Sequence, residues 1–233
     1  MAIKPPKASQ PVSRGRGRPA LHRTAPLERD DILDCALRIV QKEGREAVSM
    51  RRLARELGVT PMALYHHVPD KPALMSALVD RVWATITEQT PTVSDPIEFT
   101  VQSCLNIRRV WLTYFDLASL AVAVAEPDDA FFALTKSIAE GFEVLGFPDV
   151  PLAYNAIQNF TLGSVEIAAN RKASSLYFGR DPKAVRSRAL RLLSKQDASS
   201  NHRGVVDARF DEGDERYFEG SLRALIAGLR AGA

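Results

Sequence analysis

The sequence has little cysteine and no long hydrophobic run. Its two cysteines, Cys35 and Cys104, stand far apart in a chain of 233 residues, so they predict neither a disulfide framework nor a thiolate metal site and indicate a reducing compartment. No apolar stretch approaches the roughly 20 residues that span a bilayer. The basic N-terminus also lacks the apolar region of a secretory signal. We therefore expect a cytoplasmic protein that does not cross a membrane.

The chain also lacks the side-chain sets that enzymes use. No histidine occurs between His67 and His202, and the segment around Ser164 lacks the second glycine of a nucleophile elbow. His66 and His67 are adjacent, and adjacent helical residues point about 100° apart, so they cannot readily chelate one metal ion. We expect a protein that is not an enzyme and has no metal site and no cofactor.

Residues 49–71 predict two short helices joined by a tight turn. Ser49 can cap the first helix with its side-chain oxygen, and apolar residues then recur on one face until Gly58 ends it. Thr60 can cap a second helix, which continues through His67. This arrangement is a helix-turn-helix, whose second helix fits the major groove of DNA.

The two short helices have an inner and an outer face. The side chains spaced to bury against one another are Leu53, Leu57, Val59 and Leu64. A solvent-facing share is left to Arg51, Arg52, Thr60, Met62, Ala63, Tyr65, His66 and His67. Asp70 then caps a long helix that begins at Lys71, and this positive helix end would suit a phosphate oxygen.

The basic charge is concentrated in the N-terminal third. Residues 1–72 hold 14 Lys and Arg against 8 Asp and Glu, whereas the remainder holds 17 against 20. Residues 1–27 carry five prolines and no acidic residue, a composition that predicts a disordered basic arm. Within this arm an Arg-Gly-Arg core resembles an AT-hook, which binds the minor groove through residues such as Arg14, Arg16 and Arg18. A merely solvated basic tail explains the same composition equally well.

Helical spacing of apolar residues continues along the whole chain. It predicts a supporting helix over 28–43, a long helix over 71–89 and a break at 91–96. Further helices are predicted over 97–113, 117–125, 126–145, 152–170 and 217–229. We expect residues 171–213 to form a mobile loop with one short helix around 184–193. The fold class is therefore all-α, with helices packed on helices.

Ile32 to Val48, followed by RRLARELGVTPMALYHHVPDKPALMSAL, resembles the DNA-binding domain of the tetracycline-repressor (TetR) family of transcriptional regulators. FTLGSV (residues 160–165) and YFEGSLRALIAGLR (residues 217–230) resemble the two dimerisation helices of the tetracycline-repressor subgroup. The resemblance implies a helix-turn-helix domain over 28–90 and an effector-binding and dimerisation domain over 91–233. It further implies a homodimeric repressor of a palindromic DNA operator, whose paired recognition helices are respaced when a small-molecule effector binds.

The resemblance also suggests roles for the outer residues of the helix-turn-helix. The position held by Arg51 can reach a base edge, whereas we assign Arg52 to phosphate or solvent. Phosphate contact is assigned chiefly to Tyr65, His67 and Lys71. Groove contact is assigned to Thr60, Met62, Ala63 and His66, on a helix that Pro61 opens.

The resemblance implies an effector pocket among the helices between the DNA-binding end and the dimer interface. Candidate lining residues are Trp83, Thr87, Ser103, Ile107, Ile138, Tyr154 and Gln158. Other aromatic residues at helical spacing are expected to fill the core, including Trp111 and Phe131. Tetracycline-binding relatives hold a metal–drug chelate with histidines, and the matching stretches here carry Thr87 and residues 122–124 instead. We therefore expect an apolar or aromatic effector with a few hydrogen-bonding groups rather than magnesium–tetracycline.

One alternative function stays open at this point. The arginine-glycine arm and the basic N-terminal third also fit an architectural DNA-binding protein without an effector. Preference for one palindrome over random duplex would favour the regulator, whereas sequence-indifferent binding would favour the architectural role.

Overall fold

The computed structural model describes residues 26–123, 129–179, 181–194, 200–210 and 215–232. Within these ranges the protein consists of α-helices with one 3-10 turn, Arg45–Ala47, and no β-strand, which confirms the all-α prediction. The helices are α1 (Arg29–Glu43), α2 (Met50–Leu57), α3 (Pro61–Tyr65), α4 (Lys71–Gln89), α5 (Pro96–Thr113), α6 (Phe115–Ala123), α7 (Asp129–Val144), α8 (Val150–Phe178), α9 (Pro182–Ser194), α10 (Ser200–Phe210) and α11 (Glu215–Ala231). The predicted arm residues Arg14, Arg16 and Arg18 lie outside the described ranges.

Short polar residues fix the starts of the N-terminal helices. The Ser49 side chain accepts a hydrogen bond from the N–H of Arg52 at 3.3 Å, as a cap of α2. The Thr60 side chain caps α3 in the same way. Asp70 caps α4 at 2.8 Å from the N–H of Ala73. Each predicted cap is confirmed, so these three helix starts are fixed by local sequence.

Helix α3 is shorter than the sequence pattern predicted. It ends at Tyr65, and His66 and His67 lie in the turn that follows. The carbonyl oxygen of Leu64 accepts hydrogen bonds from the N–H groups of both His67 and Val68, each at 2.9 Å, which closes the helix early. Pro69 then disfavours helical backbone at the residue before it. The prediction that the helix continues through His67 is therefore wrong.

Helix α4 packs against helices that precede it and helices that follow it in the chain. It lies against α1 on one side and against α5, α6 and α7 on the other. Its C-terminal end is held by the buried side chain of Asn106 on α5, whose Nδ2 donates to the Ile86 carbonyl oxygen at 2.8 Å. Nearer its N-terminal end, Arg81 lies 3.6 Å from the carboxylate of Asp34 on α1. One rigid helix therefore connects the helix-turn-helix to the rest of the protein.

Helix α11 packs along α5 and α8 near the C-terminus of the chain. The rings of Phe160 on α8 and Phe218 on α11 stack with their centroids 5.2 Å apart. Arg223 on α11 donates to the carboxylate of Glu98 on α5 at 2.7 Å. The guanidinium of Arg108, a buried cation of α5, lies 5.2 Å from the Phe218 ring and so faces α11.

The chain between residues 171 and 213 is more helical than predicted. Helix α8 continues to Phe178, α9 covers Pro182–Ser194 and α10 covers Ser200–Phe210. The short helix predicted around 184–193 is confirmed as α9, whereas the mobile-loop prediction is wrong for the C-terminal end of α8 and for α10. Helices α9 and α10 pack on each other, and most described side chains of α9 are exposed. The apolar stripe that usually identifies a helix in a sequence is therefore narrower than usual here. No helix in the described parts of the chain is long and apolar enough to cross a membrane.

Candidate DNA-binding face and effector site

Helix α3 packs against the protein on one face and is exposed to solvent on the other. Leu64 on α3 and Leu53 on α2 are fully buried, with Leu57 and Val59 partly buried beside them. On the outer side, the side chain of Met62 is 67% exposed and that of Tyr65 is 46% exposed. The buried leucines hold α3 as a rigid rod, which leaves its outer face free to meet a partner.

The structure brings the predicted DNA-binding residues together at this outer face. The exposed members of the set are Arg51, Thr60, Pro61, Met62, Tyr65, His66 and Lys71. The half-buried members are Arg52, Ala63 and His67. The set combines hydroxyl, imidazole, cationic and apolar groups, which can contact phosphates and base edges in a groove.

Arg52 is the most closely paired cation of the set, whereas the Lys71 ammonium lies 3.9 Å from the Glu46 carboxylate. Its Nη1 and Nη2 donate to the two carboxylate oxygens of Glu43 on α1, at 2.7 and 2.5 Å. Its Nε donates to Glu56 at 3.4 Å. The hydrogen bond from Arg52 lowers the pKa of the Glu43 carboxyl below its usual range. This bidentate pair braces α2 against α1.

An aromatic cluster lies where α4, α5 and α7 meet. The Trp83 ring on α4 packs edge-to-face on Trp111 of α5, with centroids 5.6 Å apart, and on Phe131 of α7 at 5.1 Å. Trp83 and Trp111 are both buried. The indole Nε1 of Trp111 is buried and donates to no group among the described residues. We call Trp83, Trp111 and Phe131 the aromatic cluster.

A chain of neutral polar side chains lies one turn further along α7. The hydroxyl oxygens of Thr135 on α7 and Tyr154 on α8 are 2.7 Å apart, within hydrogen-bond distance. Gln158 on α8 donates from Nε2 to the Tyr154 hydroxyl oxygen at 2.6 Å. The other end of this amide, Oε1, is buried and accepts no hydrogen bond from the described part of the chain. We call Thr135, Tyr154 and Gln158 the polar cluster.

The remaining predicted lining residues occupy nearby positions on α4, α5 and α7. Ile107 and Ile138 are fully buried. The Ser103 hydroxyl is buried and donates to the Phe99 carbonyl oxygen at 2.7 Å, and the Thr87 hydroxyl donates to the Trp83 carbonyl oxygen at 3.2 Å. The Ser103 hydroxyl oxygen keeps a lone pair that can accept a further hydrogen bond.

Sequence reasoning found part of this region and missed part. It named Tyr154 and Gln158 but missed Thr135, and it assigned Trp111 and Phe131 to the core only. Phe131 and Thr135 are four residues apart on α7, a spacing that places both on one helix face. The sequence signal that could have identified Thr135 was its hydroxyl, one helical turn from the aromatic side chain of Phe131.

The described residues show no sign of metal or thiol chemistry. No group of three or more His, Cys, Asp or Glu side chains among them is placed to hold a metal ion. Both cysteines are buried, and burial raises the pKa of the Cys104 thiol to about 11. A thiol with so high a pKa stays protonated and is a poor nucleophile.

A rigid, outward-facing helix in a helix-turn-helix, joined by one long helix to an all-α body, is the architecture of a DNA-binding regulator. Residues 32–78 match the bacterial regulatory proteins of the tetR family, and residues 91–232 match the tetracyclin repressor-like C-terminal domain. The second match alone covers more than half of the chain. The protein belongs to the TetR family and carries a tetracycline-repressor-like C-terminal domain.

Known relatives are transcriptional regulators. Tetracycline repressor protein class D of Escherichia coli is 29% identical over 145 residues, a match that covers 60% of this chain and 66% of that protein, just under two thirds. An HTH-type transcriptional regulator of Saccharopolyspora erythraea is 29% identical over 226 residues, covering 91% of this chain and 88% of that protein.

Solved structures of the same architecture include complexes with DNA and with a small molecule. ActR from Streptomyces coelicolor in complex with (S)-DNPA has a TM-score of 0.64 and 25% identity, covering 90% of this chain and 100% of that chain. BioQ with its double-stranded DNA operator has a TM-score of 0.54 and 28% identity, covering 66% of this chain and 93% of that chain.

Proposed function

We propose that the protein is a homodimeric transcriptional repressor that binds a palindromic DNA operator and releases it when a small molecule occupies its C-terminal half. The observation that carries this proposal is the outer face of α3, where exposed Met62 and Tyr65 stand over the buried Leu64. The alignment with BioQ, solved with its operator, supports DNA as the partner of this face.

The roles of the individual residues follow from their exposure and chemistry. Arg51 is exposed and can form a bidentate contact with guanine, which contributes about 1–3 kcal/mol of discrimination. Tyr65, His67 and Lys71 contact phosphates. Thr60, Met62, Ala63 and His66 contact the groove, with Pro61 at the helix start. Because Arg52 is held by Glu43, it acts in this proposal mainly as a brace.

Effector response is proposed to act through α4. Trp83 of this helix is part of the aromatic cluster, and Lys71 at its other end follows the helix-turn-helix directly. Asn106 holds the C-terminal end of α4 in the core. A ligand that displaces Trp83 would therefore tilt α4 about this held end and change the spacing of the two α3 helices in the dimer. ActR, whose structure contains (S)-DNPA, supports a small-molecule effector.

Pairing of two copies is proposed to occur through α8 and α11. Ile167 on α8 is 55% exposed, and Gly163 lies one turn before it on the same face. A Cβ atom at Gly163 would meet nothing within 4 Å among the described residues of its own subunit. Its small size is therefore not needed within the subunit, which supports close approach of a helix from a second copy.

The experiment that tests the proposal is selection of bound sequences from random duplex DNA with the full-length protein. We expect one palindromic motif, bound with strong preference over random duplex. Sequence-indifferent binding would instead support an architectural protein without an effector, and it would contradict the repressor proposal.

Variants of the outer face refine this test. Tyr65→Ala should weaken binding to all sequences, whereas Arg51→Ala should also relax the preference at one base position. Lys183→Ala, which removes one positive charge from exposed α9, is the control and should leave both properties unchanged. An unaltered base preference in the Arg51 variant would contradict its assignment to a base edge.

A further inference from the structure

The aromatic cluster and the polar cluster adjoin each other. Phe131 belongs to the first and Thr135 to the second, and they lie one turn apart on the same face of α7, about 6 Å at the level of their Cβ atoms. The two clusters are therefore neighbours along α7, and we treat them together as one surface, with aromatic rings at one end and a hydrogen-bonded amide at the other.

Each end of this surface carries one hydrogen-bonding group with no described partner. The Trp111 Nε1 is a donor, and the Gln158 Oε1 is an acceptor. A buried polar group without a partner destabilises a protein by about 1–3 kcal/mol, so such groups call for a specific explanation. Recognition of a bound molecule is an explanation that accounts for both.

The charge of the surface narrows the chemistry of its ligand. All six side chains of the two clusters are neutral. The guanidinium of Arg108, a buried cation of α5, lies 5.2 Å from the Phe218 ring on α11 and is not one of the six. A charged ligand would lose its hydration here without gaining an opposite charge from the six side chains, which is costly.

We infer that the effector is an uncharged, planar aromatic molecule that carries a hydroxyl or N–H donor and a carbonyl acceptor. Its ring packs on Trp83 and Phe131, its carbonyl accepts from Trp111 Nε1, and its donor binds Gln158 Oε1. The inference rests on the proposed function, because it names the chemical class of the effector at the proposed site. Displacement of Trp83 by the ring would connect binding to α4.

A matched set of flavones tests the class, because each is a rigid planar aromatic with one ring carbonyl. 6-Hydroxyflavone can donate a hydrogen bond, flavone lacks that group, and 6-methoxyflavone can only accept. The chain contains two tryptophans, Trp83 and Trp111, and both lie in the aromatic cluster. Tryptophan fluorescence therefore reports occupancy of this site, and calorimetry gives the dissociation constants.

We expect 6-hydroxyflavone to bind about tenfold more tightly than flavone or 6-methoxyflavone. Gln158→Leu should remove this advantage, so that 6-hydroxyflavone and flavone bind with equal affinity. Trp111→Phe, which keeps a ring but loses the N–H, should weaken all three flavones by about tenfold. Asn155→Leu, an exposed amide on the same helix, is the matched control and should preserve the advantage.

Several results would overturn the inference. They are equal binding of the three flavones, tightest binding of 6-methoxyflavone, no binding with unchanged tryptophan fluorescence, and an advantage that persists in folded Gln158→Leu. Circular dichroism checks the fold of each variant, and Trp111→Phe decides the case if the Gln158 variant does not fold.

The same protein samples are tested for binding to the DNA selected above, which distinguishes failure of the effector class from failure of the proposed repressor function. Operator binding with equal flavone affinities would overturn the effector class and leave the repressor intact. Flavone discrimination without binding to any duplex would support the ligand site and contradict the repressor.

Discussion

The carboxylate of Asp116 on α6 accepts a hydrogen bond from the backbone N–H of Arg45, 2.5 Å away, in the 3-10 turn that follows α1. The Arg45 side chain also donates to Ser119 of α6 at 3.3 Å. Helix α6 therefore contacts the turn that joins α1 to the helix-turn-helix, in addition to the connection made by α4. Gly44 lies beneath this contact with φ of +85°.

Asp116→Ala should destabilise the protein by about 1–3 kcal/mol, because the N–H of Arg45 loses a charged acceptor in a partly buried position. Chemical denaturation measures the change in the free energy of unfolding. Asp116→Asn keeps an acceptor oxygen and should recover most of the loss. Equal unfolding midpoints for the wild type and the alanine variant would contradict this role.

Gly44→Ala should destabilise the protein by about 1–3 kcal/mol, because its backbone, with φ of +85° and ψ of 166°, is in a region that only glycine adopts readily. The new Cβ atom would also lie 3.0 Å from the Asp116 carboxylate oxygen. Gly204→Ala on α10 meets nothing within 4 Å and serves as the control. A similar effect of the two substitutions would show that the conformation of Gly44 is unimportant.

Gly163→Ala should weaken the proposed dimer and leave the isolated subunit folded. Alanine favours a helix over glycine by about 0.5–1 kcal/mol, and the added Cβ has free space within the subunit. Any loss must therefore arise from a partner helix. Sedimentation analysis at several protein concentrations measures the association, and unchanged association would remove the argument for close helix approach at this residue.

The pair between Arg52 and Glu43 should make stability depend on pH. The pKa of Glu43 is lowered in the folded protein by its hydrogen bond from Arg52, so the stabilisation is present above the ordinary glutamate value of 4.5 and is lost as pH falls through the lower folded value. The difference in Tm between the wild type and Arg52→Ala should therefore be largest near neutral pH and shrink in acid. Arg51→Ala, which removes an exposed arginine of the same helix, should leave Tm almost unchanged both at neutral pH and in acid.

Removal of residues 1–27 should weaken operator binding and reduce its salt dependence, because six basic side chains leave with the segment. Each phosphate neutralised contributes about 0.9 to the slope of log affinity against log salt concentration. Titration of the operator at several salt concentrations gives this slope for both proteins. If the slopes and affinities agree, the basic arm has no part in binding.

Local sequence predicted the helix-turn-helix better than any other part of the protein. Ser49, Thr60 and Asp70 each cap a helix start, and Gly58 ends α2 with φ of +68°. Such signals act within a few residues, so they can be read from the chain alone. The end of α3 could not be predicted from them, because the Leu64 carbonyl oxygen accepts two N–H groups in a turn that periodicity does not reveal.

The interior site was less predictable because it depends on contacts between helices. Thr135 and Tyr154 are 19 residues apart and meet only when α7 packs on α8. Periodicity identifies the inward face of each helix but not which faces meet. Helix α10 escaped prediction for a related reason, since it packs on α9, whose described side chains are themselves mostly exposed.

The short length of α3 limits how many base pairs this helix can contact. Five residues at 1.5 Å each give a rod about 7.5 Å long, which spans only about two steps of duplex at 3.4 Å. A sequence of about two base pairs recurs many times among the roughly 10⁶ or more competing sites of a genome. In the proposed dimer, two α3 helices held at a fixed separation would double the number of base pairs contacted, so a single subunit would discriminate far less between sites.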